Sequence, residues 1–299
     1  MTNNIFDKYN LDRDILVREA RAIAASTCPI IMDIFNQAAH NKDALGLETK
    51  DDNSPVTIAD HRASAHIVSQ LTALTPHIAV VSEENDVNLD PSQPYWSVDP
   101  LDGTKIFASG RKGFAVNIAL MLDGMPALGV VSCPAHGTSY FSAQGMKSYK
   151  VTPEGQVQEI AVRAPQSDSL SVYFDKAHAK IETYERAVQG LAPALILPEQ
   201  PNVERQFPHN LMVAEGTSDI HVKTGKDITF NASSGRSWDN AADYIILKNA
   251  GGTMVRLNSD DDGNVTVSPL KFDTVRDRMP AYMSGNRGLI ETAFPHLRL

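Results

Sequence analysis

Between residues 12 and 37 apolar positions recur at helical spacing. Leu16, Ala20, Ile23 and Ala24 share one face, and Ile30, Ile31 and Ile34 continue it, with Arg18, Glu19 and Arg21 between them. One long amphipathic helix is predicted, kinked or interrupted at Pro29, which lacks the backbone donor a helix needs. The polar run 41–54 breaks the pattern and reads as a mobile surface loop, with Lys50-Asp51-Asp52 as solvated charge. Helical spacing returns at Thr57, with Ala63, Ile67, Val68 and Leu71 inward and Asp60 in the first turn, where a carboxylate suits the helix dipole. The period then shortens. Ile78 to Ser82 reads as a buried strand ending at Glu83-Glu84, and 86–94 as a surface loop. Trp96-Ser97-Val98 reads as a second buried strand. From Phe114 the period is two: Phe114–Leu122 and Ala127–Cys133 are strands joined through Asp123-Gly124, a hairpin signal. Thr138–Ala143 and Ser148–Val151 extend an antiparallel meander.

Beyond about residue 160 strands and helices alternate. Strands are expected at 170–174, 194–197, 220–222 and 253–257, and helices at 175–190, 210–215 and 239–250, the last stopped by Gly251-Gly252. The expectation is an α/β fold with an α+β N-terminal domain over 1–160 and an α/β C-terminal domain over 161–299. Asn258, Asp260, Asp262 and Gly263 imitate the start of a calcium loop, but Pro269 stands where that loop needs its bidentate Glu, so a solvated turn is expected. Gly110-Arg111-Lys112-Gly113 does not have the form of a Walker phosphate loop.

The 299 residues suffice for two domains, and 42% hydrophobic with 21% charged residues is ordinary for a globular protein. A net charge of −9 argues against a nucleic acid polymer as partner. It leaves room for a small phosphorylated metabolite if cations neutralise the site. The polar N-terminus lacks the apolar run of a signal peptide, and no stretch is long enough for a membrane span. With only Cys28 and Cys133, a disulfide framework is not expected and a cytoplasmic location is.

The chemistry concentrates in Tyr95–Phe107, YWSVDPLDGTKIF. A rigid turn, with Pro100 and Gly103, holds Asp99 and Asp102 close together. Two carboxylates so placed repel unless a proton or cation lies between them. Glu83-Glu84 upstream and Asp239 downstream add more acids. An oxygen-rich set without a Cys or His cluster favours a hard cation, Mg²⁺ first.

These residues carry a resemblance. Asn53–Asp60, Ser82-Glu83-Glu84-Asn85, Asp99-Pro100-Leu101-Asp102-Gly103-Thr104-Lys105 and Phe114–Leu120 resemble the inositol monophosphatase superfamily of metal-dependent, lithium-sensitive phosphatases. Val213-Ala214-Glu215-Gly216, Trp238-Asp239-Asn240-Ala241-Ala242 and Ala250-Gly251-Gly252 continue the likeness. Within that group the chain is most similar to the CysQ-type 3'(2'),5'-bisphosphate nucleotidases. The resemblance implies the layered αβαβα sandwich of the inositol monophosphatase and fructose-1,6-bisphosphatase type, and two or three Mg²⁺ ions per site. It implies that Glu83, Asp99 and the Leu101 carbonyl hold a first ion, and that Asp99, Asp102 and Asp239 hold a second. Asp60 and Thr104 would orient the attacking water, and the backbone N–H groups of Gly103 and Thr104 would cradle the phosphate, with Asp239 also at the substrate. Two metals can hold both the attacking and the leaving oxygen of an in-line displacement. The implied reaction is hydrolysis of adenosine 3',5'-bisphosphate to AMP. Inositol or another sugar phosphate is the alternative substrate, and a non-catalytic phosphometabolite-binding relative is a third reading. A homodimer is common in such proteins. The chain departs from the pattern at Asp243, where the family has Gly. Four residues after Asp239 on the same helical face, this carboxylate is expected to repel a second phosphate. The usual Gly-Ser stretch is replaced by Glu204-Arg205-Gln206. For an adenosine nucleotide, Tyr173, Lys176, His178 and Arg205 are the candidate contacts.

Overall fold

The computed structural model describes residues 4–164, 172–174, 209–223, 233–259, 265–276 and 278–293. The first long helix, α1 (Arg13–His40), is capped by Asp12, whose carboxylate accepts the N–H groups of Asp14 and Ile15. It continues through Pro29, so the interruption that was one of the two expected effects of the proline does not occur. Pro29 follows a buried face of Ala20, Ile23, Ala24 and Thr27 and precedes Ile31 and Ile34, so packing on both sides carries the helix across the missing hydrogen bond. The second helix, α2 (Ile58–Leu74), opens with a capping box between Thr57 and Asp60. Between them, 41–54 is more ordered than a mobile loop. It holds a short 3₁₀ turn, Lys42–Leu45, and a ribbon pairing Glu48–Thr49 with Pro55–Val56.

Seven strands follow in sequence order across one sheet: β1 (Ala79–Ser82), β2 (Tyr95–Asp102), β3 (Ala115–Leu122), β4 (Met125–Cys133), β5 (Thr138–Ala143), β6 (Ser148–Val151) and β7 (Val157–Ile160). Only β1 and β2 are parallel. A short helix, α3 (Thr104–Ala108), leaves the end of β2. Every residue of β3 is buried, because both faces of the sheet are covered. Val116, Ile118, Leu120 and Leu122 pack into the cluster beneath α1 and α2. Ala115, Ala119 and Met121 pack on the opposite side. The β3–β4 hairpin turns at Asp123 and Gly124, both with positive φ, as expected.

The second sheet contains β8 (Val172–Phe174), β9 (Ile220–Lys223), β10 (Gly252–Ser259), β11 (Val265–Pro269) and β12 (Tyr282–Asn286), in the order β8-β9-β12-β10-β11. Two helices lie between the sheets: α4 (His209–Ala214) and α5 (Ala241–Asn249). The approach of α5 to β4 is close enough that a Cβ at Gly129 would lie 2.5 Å from the Ala242 carbonyl oxygen. On β12, Tyr282 and Ser284 point towards Asn210 of α4. The alternate residue, Gly285, faces Ile290 of α6 (Arg287–Ala293), so α6 covers the other face. The result is the expected α/β sandwich with layers α, β, α, β, α. Of the residues that imitate a calcium loop, Asn258 pairs opposite Thr266 of β11, and Asp260, Asp262 and Gly263 lie outside the described residues. The expected helix at 175–190 and strand at 194–197 lie outside the described residues, as do Lys176, His178, Glu204, Arg205 and Gln206.

Candidate active site

The end of β2 aims the acids. Asp99 pairs with Asn117 and Asp102 with Ala115, so three steps on β2 oppose two on β3. Residues three apart on a regular strand face opposite sides; the irregularity restores one facing for both carboxylates. Asn117 and Ala115 lie on the side of β3 that faces α5. Asp99 and Asp102 are thereby directed at the layer from which Asp239 comes. Asp239 precedes α5 instead of starting it. The helix begins at Ala241, with Asn240 at the N-cap position.

Each acid has its own anchor. Asp99 Oδ1 accepts the Leu101 N–H at 3.0 Å, Asp102 Oδ2 accepts Asn117 Nδ2 at 3.2 Å, and Asp239 Oδ2 accepts the Arg236 N–H at 2.9 Å. Thr104 Oγ lies 3.0 Å from Asp60 Oδ1 and 3.2 Å from the Leu101 carbonyl. Asp60 Oδ2 takes the N–H and hydroxyl of Thr57. Gly103 has φ of +92°, and a Cβ there would meet the Gly113 carbonyl at 2.8 Å, so only glycine fits the turn that starts α3.

Burial is the largest cause holding the Asp99 and Asp102 carboxyls well above their ordinary value. Glu83, Asp102 and Asp239 raise Asp99 further; Asp239 raises Asp102 while Lys223 opposes. Burial also raises Asp239, partly offset by Lys223. Burial raises Asp60 against its Thr57 and Thr104 hydrogen bonds. The structure therefore brings Asp60, Glu83, Asp99, Leu101, Asp102, Gly103, Thr104 and Asp239 into one neighbourhood.

Two cations that sequence reasoning missed serve this neighbourhood. Lys50 is not solvated charge: its ammonium bridges Glu83 at 2.8 Å and Glu84 at 2.5 Å. Glu84 is raised by burial and pulled back by Lys50. Lys223 on β9 acts on Asp102, Asp239 and Asp243. A lysine in a polar run carries no signal that would separate either from surface charge. Gly235 was missed too. With φ of +111° it leaves space that a Cβ would take from Asp239 Oδ2.

Asp243 lies close enough to the acids to raise Asp102. It is buried, and its Oδ2 accepts Asn210 Nδ2 at 3.0 Å. At this point α5 is enclosed between two sheets, which buries the Asp243 side chain.

The donor chemistry fits a hard divalent cation. The clustered donors are carboxylates and a carbonyl, and two ammonium groups, Lys50 beside Glu83 and Lys223 acting on Asp102 and Asp239, offset part of their negative charge, as a divalent cation would. Among the described residues no three Asp, Glu, His or Cys side chains converge on one point as metal ligands do. Each carboxylate is instead turned towards its backbone, amide or lysine anchor. Among the same residues no helix is long and apolar enough to cross a membrane.

Comparison with known proteins follows the geometry. Residues 12–284 match the family model described as inositol monophosphatase family. A 3'(2'),5'-bisphosphate nucleotidase CysQ from Aggregatibacter actinomycetemcomitans is 32% identical over 238 residues, covering 76% of this chain and 83% of that protein. The protein of the same name from Escherichia coli K12 is 32% identical over 227 residues, covering 73% and 83%. Among solved structures, an inositol monophosphatase from Zymomonas mobilis superposes with a TM-score of 0.63 at 24% identity, covering 94% of this chain and 96% of that one. The extragenic suppressor protein SuhB from Bartonella henselae does so with a TM-score of 0.67 at 20% identity, covering 91% and 94%. At those identities the structural likeness speaks for the fold alone.

Proposed function

The chain belongs to the inositol monophosphatase family, and from that premise we propose that it is a Mg²⁺-dependent phosphomonoesterase that converts adenosine 3',5'-bisphosphate to AMP and phosphate. The observation that carries the reading is the gathering of three carboxylates: buried Asp99 and half-buried Asp102, aimed together by the irregular end of β2, and half-buried Asp239, whose charge raises both of them. A buried acid cluster gains the fold nothing without a cation to neutralise it. The names of the 32%-identical relatives support the nucleotide substrate.

Bound here, Mg²⁺ supplies Lewis acidity that lowers the pKa of an attacking water and neutralises charge on the leaving oxygen. Glu83, Asp99 and the Leu101 carbonyl would hold one ion, and Asp99, Asp102 and Asp239 the second. Thr104 would orient the attacking water, a role supported by its hydroxyl lying between Asp60 and the Leu101 carbonyl. Asp60, kept in line by Thr57, accepts from Thr104 and sets the direction of that hydroxyl. The turn at Gly103 and Thr104 lets backbone N–H groups approach the phosphate, because no Cβ stands in the way. Residues 1–160 form one domain carrying most ligands, and residues 161–299 form a second, which contributes Asp239 and the contacts to the leaving nucleoside. Asp243 is held by Asn210 and its carboxyl is pushed up to about 7, and Lys223 adds positive charge near Asp102 and Asp239, which suits a second phosphate.

The test is kcat/KM for adenosine 3',5'-bisphosphate and inositol 1-phosphate at one Mg²⁺ concentration. The bisphosphate is the expected better substrate. A preference for inositol 1-phosphate of about tenfold, roughly 1.4 kcal/mol, overturns the assignment.

A further inference from the structure

We propose that Tyr282, Asn240 and Asn210 are positioning residues that set the carboxylate of Asp239, a role resting on the reading of Asp239 as a metal ligand. All three are buried, and they come from three elements: β12, the start of α5, and α4. Asn240 occupies the N-cap of α5, where an Asn side chain ordinarily accepts a helix N–H, yet it makes no capping bond. Its side chain is committed to the preceding turn. Nδ2 donates to the Arg236 carbonyl at 2.8 Å, and Oδ1 accepts the Tyr282 hydroxyl at 2.7 Å.

Arg236 is the residue whose N–H holds Asp239 Oδ2 at 2.9 Å. The chain of contacts therefore runs from Tyr282 to Asn240, from Asn240 to the Arg236 carbonyl, and, across the Arg236 Cα, from the Arg236 N–H to the carboxylate. Its direction is fixed from the far end. Asn210 Nδ2 donates to Tyr282 Oη at 3.0 Å and to Asp243 Oδ2, so the Tyr282 hydroxyl accepts there and gives its own proton to Asn240. Asn210 Oδ1 accepts the Ser284 hydroxyl at 2.8 Å and lies 2.8 Å from His221 Nδ1, which locks the orientation of the amide. Each member has its hydrogen bonds made, so the brace is stiff, and Gly235 leaves the space in which the Asp239 carboxylate rests.

The neutral alternative is a polar core that merely satisfies itself. It predicts effects on stability and none specific to one metal. The experiment is Mn²⁺ binding by calorimetry and by electron paramagnetic resonance, on wild type, Tyr282→Phe, Asn240→Ala and Ser284→Ala, well below each variant's melting temperature. Ser284 joins the network at Asn210 but not on the route to Asp239. Loss of a partner behind a metal ligand typically weakens metal binding about 10–100-fold. The expected result is weakening of one Mn²⁺ site by about tenfold or more in Tyr282→Phe and Asn240→Ala, with the other site and Ser284→Ala near wild type. On an Asp239→Asn background, Tyr282→Phe should weaken Mn²⁺ no further. Wild-type Mn²⁺ affinity in Tyr282→Phe, or an undiminished loss on the Asp239→Asn background, overturns the brace alone. A wild-type protein that binds no Mn²⁺ overturns the metal reading and the brace with it.

Discussion

Replacing Asp243 with Asn should stabilise the metal-free protein at neutral and alkaline pH and do little at acid pH. The carboxyl is buried, one oxygen accepts from Asn210, and among the described residues the other has no hydrogen-bond partner. Burial pushes its pKa from 3.8 up to about 7, with Asn210 and Lys223 pulling back and Asp239 adding to the rise. A carboxyl raised in the folded state keeps a proton that the unfolded chain has released. Its contribution to stability is complete below about pH 4 and is lost as pH climbs to about 7. The interval of about three pH units, at about 1.36 kcal/mol each, amounts to roughly 4 kcal/mol. Between pH 5 and pH 8 the share is roughly 3 kcal/mol. Asn has the same shape, still accepts from Asn210 through its carbonyl, and never ionises. Urea unfolding in chelator across that range should show the variant gaining on wild type by about this amount. Asp99, Asp102 and Asp239 bias wild type in the same direction and are common to both proteins; the loss of the Asp243 charge also relieves Asp102, which adds to the gain in the variant. Parallel pH profiles would refute the argument.

Asp102→Asn and Asp239→Asn should each remove most phosphatase activity while the metal-free melting temperature holds or rises, because one member of a repelling set is neutralised; near-normal turnover would take that residue out of the site. Gly235→Ala should cost metal affinity and activity together, since the new methyl competes with Asp239 Oδ2 for space at a positive φ, and calorimetric Mn²⁺ binding checks it. Lys50→Met should destabilise the metal-free protein by about 1–3 kcal/mol, because Glu84, with a side chain only 5% exposed, loses its counter-cation. An unchanged melting temperature in chelator would contradict the last.

Much of this was legible from local pattern. The meander from Phe114 to Val151 announces itself through period two and a single Asp-Gly turn, and both are properties of neighbouring residues. The helix at 58–74 was readable for the same reason, down to Asp60 in its first turn. Pro29 misled because the packing that carries α1 past it comes from residues distant in sequence. The acids were found by their motif, but their common facing was not. It depends on the register of β2 against β3, which only pairing reveals. Lys50, Lys223 and Gly235 were invisible for a related cause: each acts across the fold on a partner that nothing in its own neighbourhood names. Asp243 shows the limit from the other side. A helical phase shared with Asp239 was expected, but Asp239 precedes the helix, and the enclosure of Asp243 between two sheets depends on packing that its local sequence does not name.

The central claim is that the acids gathered at the end of β2 hold divalent cations that drive phosphate release. The direct measurement is phosphate released from adenosine 3',5'-bisphosphate by the wild-type protein in Mg²⁺, in excess chelator, and after Mg²⁺ is restored, with Ca²⁺ in parallel. The expected result is turnover in Mg²⁺, none in chelator, recovery on restoration, and inhibition by the larger Ca²⁺, which takes more ligands. Hydrolysis that continues undiminished in excess chelator would contradict it.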